Sequence, residues 1–165
     1  MSSQEEFKVK TSDDVEHIIT RETIDKCQTL KTLLEDGCFE DVNESLPIPS
    51  VSSETFAWIQ SYCAEHKDEE NPTEEQIEKA KTDEIEGWNK TFINGLLKHQ
   101  LFDLIMAANY LDCPGLLNLG CKKIAFMIRG KTPQEIRDEF EIENDFTPEE
   151  EEQIKKENEW CEEKP

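Results

Sequence analysis

Six cysteines, three histidines and 39 Asp and Glu side chains are the groups of this 165-residue chain that could carry chemistry. The cysteines stand at 27, 38, 63, 113, 121 and 161. No two form a Cys-x-x-Cys pair and none lies at a zinc-ligand interval from a histidine. The spacing therefore predicts free thiols used as small apolar side chains. His17, His66 and His99 are far apart, with no His-Glu-x-x-His among them. None of the six glycines opens a Gly-x-Gly turn between strand and helix, which excludes a phosphate-cradling loop. Carboxylates are plentiful but occur in runs such as Glu149-Glu150-Glu151-Glu152, where water solvates them. Acid–base work needs burial and a specific partner, which no run supplies. A Cys–His nucleophile assembled across the fold is the one enzymatic reading left open. The chain is expected to be no enzyme and to need no cofactor or metal.

The charge balance narrows the partners. A formal net charge of −21 argues against nucleic acid, whose phosphates require clustered Lys and Arg, and favours basic protein surfaces. Lys122, Lys123, Arg129, Lys131 and Arg137 form the one basic neighbourhood, read as a solvated face that balances nearby acids. No apolar run approaches the roughly 18 residues of a membrane helix. Met1-Ser2-Ser3-Gln4-Glu5-Glu6 lacks the basic flank and apolar stretch of a signal peptide, so a cytoplasmic and nuclear location is expected.

The elements that would position these groups follow from periodicity. Phe7 to Lys10 alternates as a half-buried strand, Ser12-Asp13-Asp14 turns, and His17-Ile18-Ile19 returns as the second arm of a hairpin. Ile24, Cys27, Leu30, Leu33 and Leu34 recur at helical spacing up to Asp36-Gly37. Glu35 to Glu44 holds five acids and no base and reads as a solvated loop. Leu46-Pro47-Ile48-Pro49 fits only a short or edge strand. A helix capped near Ser52-Ser53 runs to about His66. Lys67 to Glu86 has nine acids, three lysines and only Ile77 and Ile85 as large apolar side chains, which predicts a mostly flexible acidic insertion. Trp88 to Leu97 is helical again.

Leu101, Phe102, Leu104, Ile105, Ala107, Ala108 and Leu111 surround a helix on nearly all sides, so it should be central, with Phe102 and Ile105 in the core. Asp112-Cys113-Pro114-Gly115 breaks it, and Pro114 opens a second apolar helix that ends before Gly130. Thr132-Pro133-Gln134-Glu135 and Thr147-Pro148-Glu149-Glu150 each spell an N-cap Thr, a first-turn Pro and a capping-box Glu. Two short helices should start there, with little apolar surface to hold them.

One pattern is specific enough to suggest a family. The run Leu101-Phe102-Asp103-Leu104-Ile105-Met106-Ala107-Ala108-Asn109-Tyr110-Leu111-Asp112 resembles the central helix of the Skp (S-phase kinase-associated protein) adaptors of SCF ubiquitin ligases. Gly115-Leu116-Leu117, Cys121-Lys122, Ile128 to Pro133, Asn144 to Thr147 and Lys156 to Lys164 continue the likeness. Upstream, the hairpin, Leu30 to Asp36, Leu46 to Pro49 and the acidic insertion match in order.

The resemblance implies an α/β (α+β) BTB/POZ fold over residues 1–129, with the insertion at about 67–86, and a C-terminal helical F-box-binding extension over 130–165. It implies an adaptor that bridges a cullin to F-box proteins, with a RING protein and an E2 acting elsewhere in the assembly. On matching positions Asn109 and Tyr110 would meet the cullin. Cys121, Ile124, Ile128, Phe140, Ile142, Trp160 and Cys161 would hold the F-box. Lys98-His99-Gln100, Cys113-Pro114 and Leu119-Gly120 depart from the family pattern beside these faces, where they bear on partner choice more than on the fold. The alternative from another class is a BTB-like scaffold that self-associates or serves a non-ligase complex.

Overall fold

The structure, a computed structural model, describes residues 7–37, 45–81 and 83–159. Its chain contacts divide into two compact units, Met1–Met127 and Ile128–Pro165. The first is a helix-dominated α/β domain. β1 (Phe7–Thr11) pairs antiparallel with β2 (Glu16–Ile19) in the register Phe7↔Ile19 and Val9↔His17. β3 (Leu46–Ile48) lies parallel to β1, giving the order β2-β1-β3 and leaving Pro47 on an edge strand. Val9, Thr11, Ile19 and Ile48 face the core. At the hairpin turn Asp14 takes a left-handed conformation (φ 62°), and the Asp13 carboxylate accepts bonds from Thr11 Oγ1 (2.5 Å) and Ser53 N (3.0 Å). Those bonds, the Thr11 hydroxyl first, hold the Asp13 carboxyl below its ordinary range.

The expected helix over residues 24–34 is two helices, α1 (Arg21–Lys26) and α2 (Gln28–Glu35), broken at Cys27. The break has a tertiary cause. The first N–H groups of α2, orphaned by helix geometry, donate from Gln28 to Asp112 O (2.9 Å) and from Thr29 to Leu111 O (3.1 Å). Asp36 and Gly37 end α2 as expected, with Gly37 at φ 79°. The rest of the acidic loop predicted up to Glu44 falls on 38–44, outside the described residues.

α3 (Ser53–Glu65) begins at the Ser52 cap, whose hydroxyl accepts from Thr55 N. It is strapped to the hairpin by His17 Nε2···Ser53 Oγ (2.8 Å) and Gln60 Nε2→Ile18 O (2.9 Å). Phe56, Ile59 and Cys63 of α3 share the core with Leu101, Leu104, Ala108 and Leu111.

Residues 67–86 are the segment that composition predicts to be a mostly flexible acidic insertion. They contain α4 (Glu74–Lys79), closed by a reciprocal capping box between Thr73 and Gln76. The segment is also tied to the domain by polar bonds rather than apolar burial. The buried Lys26 ammonium donates to Glu69 O, Asn71 Nδ2 donates to Asp25 O (3.2 Å), and Lys122 Nζ donates to Ala80 O (2.8 Å). His66 bridges Glu69 (2.8 Å) and Asn89 (2.9 Å) through its two ring nitrogens. Asn89 lies on α5 (Gly87–Asn94), where Trp88 stacks on Phe92 at 4.6 Å.

α6 (Lys98–Tyr110) is the expected central helix, but it is not buried all round. Leu101, Leu104, Ala107 and Ala108 face inward, whereas Phe102, Met106 and Tyr110 are exposed at four-residue steps. Phe102, placed in the core from sequence, is therefore a surface residue, and Ile105 is half-buried. α7 (Pro114–Ile128) packs closely on α6 at Gly120, where a methyl group would sit 2.5 Å from Ile105 Cγ1.

The second unit carries α8 (Pro133–Phe140) and α9 (Pro148–Glu157), both with the capping boxes and first-turn prolines read from sequence. Glu141, at φ 54°, ends α8. Arg137 and Asn144 both donate to the Glu151 carboxylate, at 3.3 and 2.7 Å. None of the described residues from Ile128 onward is buried.

Candidate protein-interaction surfaces

Apolar side chains are exposed or half-buried on α6, on α7 and, separately, in the unit from Ile128 onward, and each group is best understood from the element that carries it. On α6 the exposed stripe of Phe102, Met106 and Tyr110 is joined by Asn109, which is also exposed. Four-residue spacing keeps these side chains on one face while the opposite face fills the core. Tyr110 is 40% exposed and Met106 68%, large fractions for side chains that gain about 1.5–3 kcal/mol from full burial. Sequence reasoning singled out Asn109 and Tyr110 but assigned Phe102 inward and passed over Met106. The signal was available in the i, i+4, i+8 step of 102, 106 and 110.

α7 carries a group of its own. Cys121 is exposed, Ile124 half-buried and Ile128 39% exposed, and their spacing of three and four residues puts them on one face. In the unit from Ile128 onward, Ile136 and Phe140 are half-buried, while Ile142, Phe146 and Ile154 are exposed at 54, 48 and 41%. Ile136, Phe146 and Ile154 were not among the candidates, although Phe146 precedes the Thr147 cap. Trp160 and Cys161 lie outside the described residues. Four residues of the basic neighbourhood have local partners: Lys131 pairs with Glu139 (3.0 Å) and Arg137 with Glu151 (3.3 Å), while Lys123 donates to Asn94 (2.7 Å) and Lys122 to Ala80 O.

Groups with reactive chemistry are placed differently. Both ring nitrogens of His66 are engaged by Glu69 and Asn89, and His17 Nε2 by Ser53. Cys27, Cys63 and Cys113, scattered in sequence, converge in the core with their sulfur atoms within 4.8 Å of one another. Hydrogen bonds from Cys27 and then Cys63 pull the Cys113 thiol down, and the Leu116 N–H and Lys26 act in the same direction. The Cys27 thiol is pushed up by its bonds to Cys113 and Cys63 and by burial. No intervening spacing could have announced this convergence, because the three residues come from three separate helix ends and faces.

No helix among the described residues is long and apolar enough to cross a membrane. A small α/β domain followed by capped, unburied helices, with its free apolar area on helix faces, defines a class of chain built around protein contacts. The comparisons with known proteins agree. Residues 5–68 match the Skp1 family tetramerisation (POZ) domain, and residues 114–161 match the Skp1 family dimerisation domain. The chain is 41% identical over 157 residues to the "E3 ubiquitin ligase complex SCF subunit sconC" of Talaromyces stipitatus, covering 94% of this chain and 96% of that protein. To the Aspergillus terreus protein of the same name it is 40% identical over 164 residues, 99% of this chain and 100% of the relative. To the "Skp1-related protein" of Caenorhabditis elegans it is 42% identical over 166 residues, 98% and 94% of the two chains. The chain belongs to the Skp1 family, and its fold is the POZ fold with C-terminal helices.

Proposed function

We propose that this chain is an adaptor of SCF-type E3 ubiquitin ligase complexes, bridging a cullin scaffold to F-box substrate receptors. The observation that carries the reading is likeness along nearly the whole chain to relatives named as SCF subunits, both family domains included. Residues 1–129 act as the POZ platform and residues 130–165 as the F-box-binding extension. The adaptor is not an enzyme: ubiquitin transfer belongs to a RING protein and an E2 reached through the cullin, in the cytoplasm and nucleus.

The two surfaces divide the work. Asn109 and Tyr110, flanked by Met106 and Phe102, meet the cullin. Cys121, Ile124, Ile128, Phe140 and Ile142, with Trp160 and Cys161 beyond the described residues, hold the F-box. Support comes from the exposure of Met106, Tyr110, Ile128 and Ile142: such side chains can gain burial from a partner, and interface energy concentrates in anchors of this kind. The test is a pair of affinities measured on the Asn109→Lys, Tyr110→Ala double variant. Cullin binding should weaken about 30-fold, equivalent to about 2 kcal/mol, with F-box binding unchanged. Normal cullin binding with loss of F-box proteins would reverse the assignment of faces.

A further inference from the structure

Independently of that reading, we propose that Cys27, Cys63 and Cys113 form a binding site for a single soft, monovalent metal ion, of which Cu(I) is the type, in trigonal sulfur coordination. The three thiols come from the α1–α2 junction, the inner face of α3 and the start of α7, and their sulfur atoms all lie within 4.8 Å of one another. An ion held at about 2.3 Å by three coplanar sulfurs sets those sulfurs about 4 Å apart, so a small inward movement closes the site.

The donor set selects the ion. Only sulfur converges there among the described residues, with no imidazole or carboxylate in the group, and thiolate sets favour soft ions. Cys27 and Cys63 are fully buried and Cys113 is 1% exposed, leaving no open position for water as a fourth ligand. Zinc strongly prefers four ligands and would be left short; a three-coordinate ion would not.

The surroundings offset part of the charge. The ion displaces the thiol protons to solvent and leaves sulfur negative. Three thiolates and one monovalent ion leave two negative charges, of which Lys26, 5% exposed and next to Cys27 in the chain, offsets one, and the Leu116 N–H at the start of α7 favours negative charge on the Cys113 sulfur. A cleft of about 250 Å³ is lined by Lys26, Tyr62 and Gly115, which stand one or two residues along the chain from the three cysteines; the cysteines themselves do not line it.

The experiment uses the full reduced chain, without oxygen, titrated with Cu(I) supplied as its acetonitrile complex against the chromophoric chelator bicinchoninate. One equivalent should be retained by the chain and by the Cys38→Ser, Cys121→Ser, Cys161→Ser triple variant. Cys27→Ser or Cys113→Ser should weaken retention more than about 100-fold. Copper should also raise the melting midpoint of the first two proteins and not of the last two. If neither single variant folds, X-ray absorption at the copper of the unaltered chain decides: three sulfurs at about 2.3 Å are expected. Loss of copper in the triple variant, nitrogen or oxygen neighbours at the metal, or equal competition by Zn(II) would each overturn the proposal.

Discussion

Gly120→Ala should destabilise the first unit even though alanine is the better helix former. The added methyl would lie 2.5 Å from Ile105 Cγ1 and 3.2 Å from Ile105 Cδ1, both far inside van der Waals contact. Ile105 cannot swing away freely, because a β-branched side chain in a helix has one strongly preferred χ1 rotamer. Overpacking costs about 1–3 kcal/mol, and a contact this short falls in the upper part of that range, about 2–3 kcal/mol. Replacing glycine within a helix returns about 1 kcal/mol of that. The net loss should be about 1–2 kcal/mol, which at a urea m-value of about 2 kcal/mol/M lowers the unfolding midpoint by about 0.5–1 M. Far-UV circular dichroism of the reduced chain reads this directly. Ile105→Ala removes the atoms in collision, so the double variant should recover about 1–2 kcal/mol relative to the sum of the two single changes. A midpoint that stays or rises in Gly120→Ala, or effects that simply add, would refute the close α6–α7 approach.

Three further outcomes follow from polar ties and from missing burial. His66→Ala removes the bridge to Glu69 and Asn89, so tryptic cleavage at Lys67, Lys79 or Lys81 should accelerate about tenfold, equivalent to about 1.4 kcal/mol of lost protection. Equal cleavage would mean that the segment is held by other contacts. Since α9 buries no described residue and short helices are marginal alone, its amides should exchange fast in the free chain and slow when an F-box peptide binds. Thr147→Ala should weaken that peptide's affinity about fivefold, for a cap worth about 1 kcal/mol.

Local signals were legible and remote ones were not. The Ser52 cap, the Asp14 turn, Pro114 and both Thr-Pro-x-Glu starts act within one turn of chain, and the structure places each where the residue pattern puts it. The break at Cys27 was hidden because its cause is the pair of carbonyls at Leu111 and Asp112. The polar ties of residues 67–86 were not legible, because composition reports apolar content and not which carbonyls a distant side chain will reach. The hold comes from Lys26, Asn71 and Lys122 bonding to backbone carbonyls. Phe102 was misplaced because an apolar-rich helix looks buried all round until the four-residue stripe of Phe102, Met106 and Tyr110 is separated from the inward face. The candidate contact residues were legible only through family resemblance, since exposure gives a surface but no partner.

The central claim is bridging, and one measurement tests it most directly. Purified chain, a cullin N-terminal region and an F-box domain are mixed and their masses followed by sedimentation velocity. A single complex containing one copy of each is expected, with no association of cullin and F-box domain when the chain is left out. Mutual exclusion of the two partners, or binding of neither, would contradict the adaptor account.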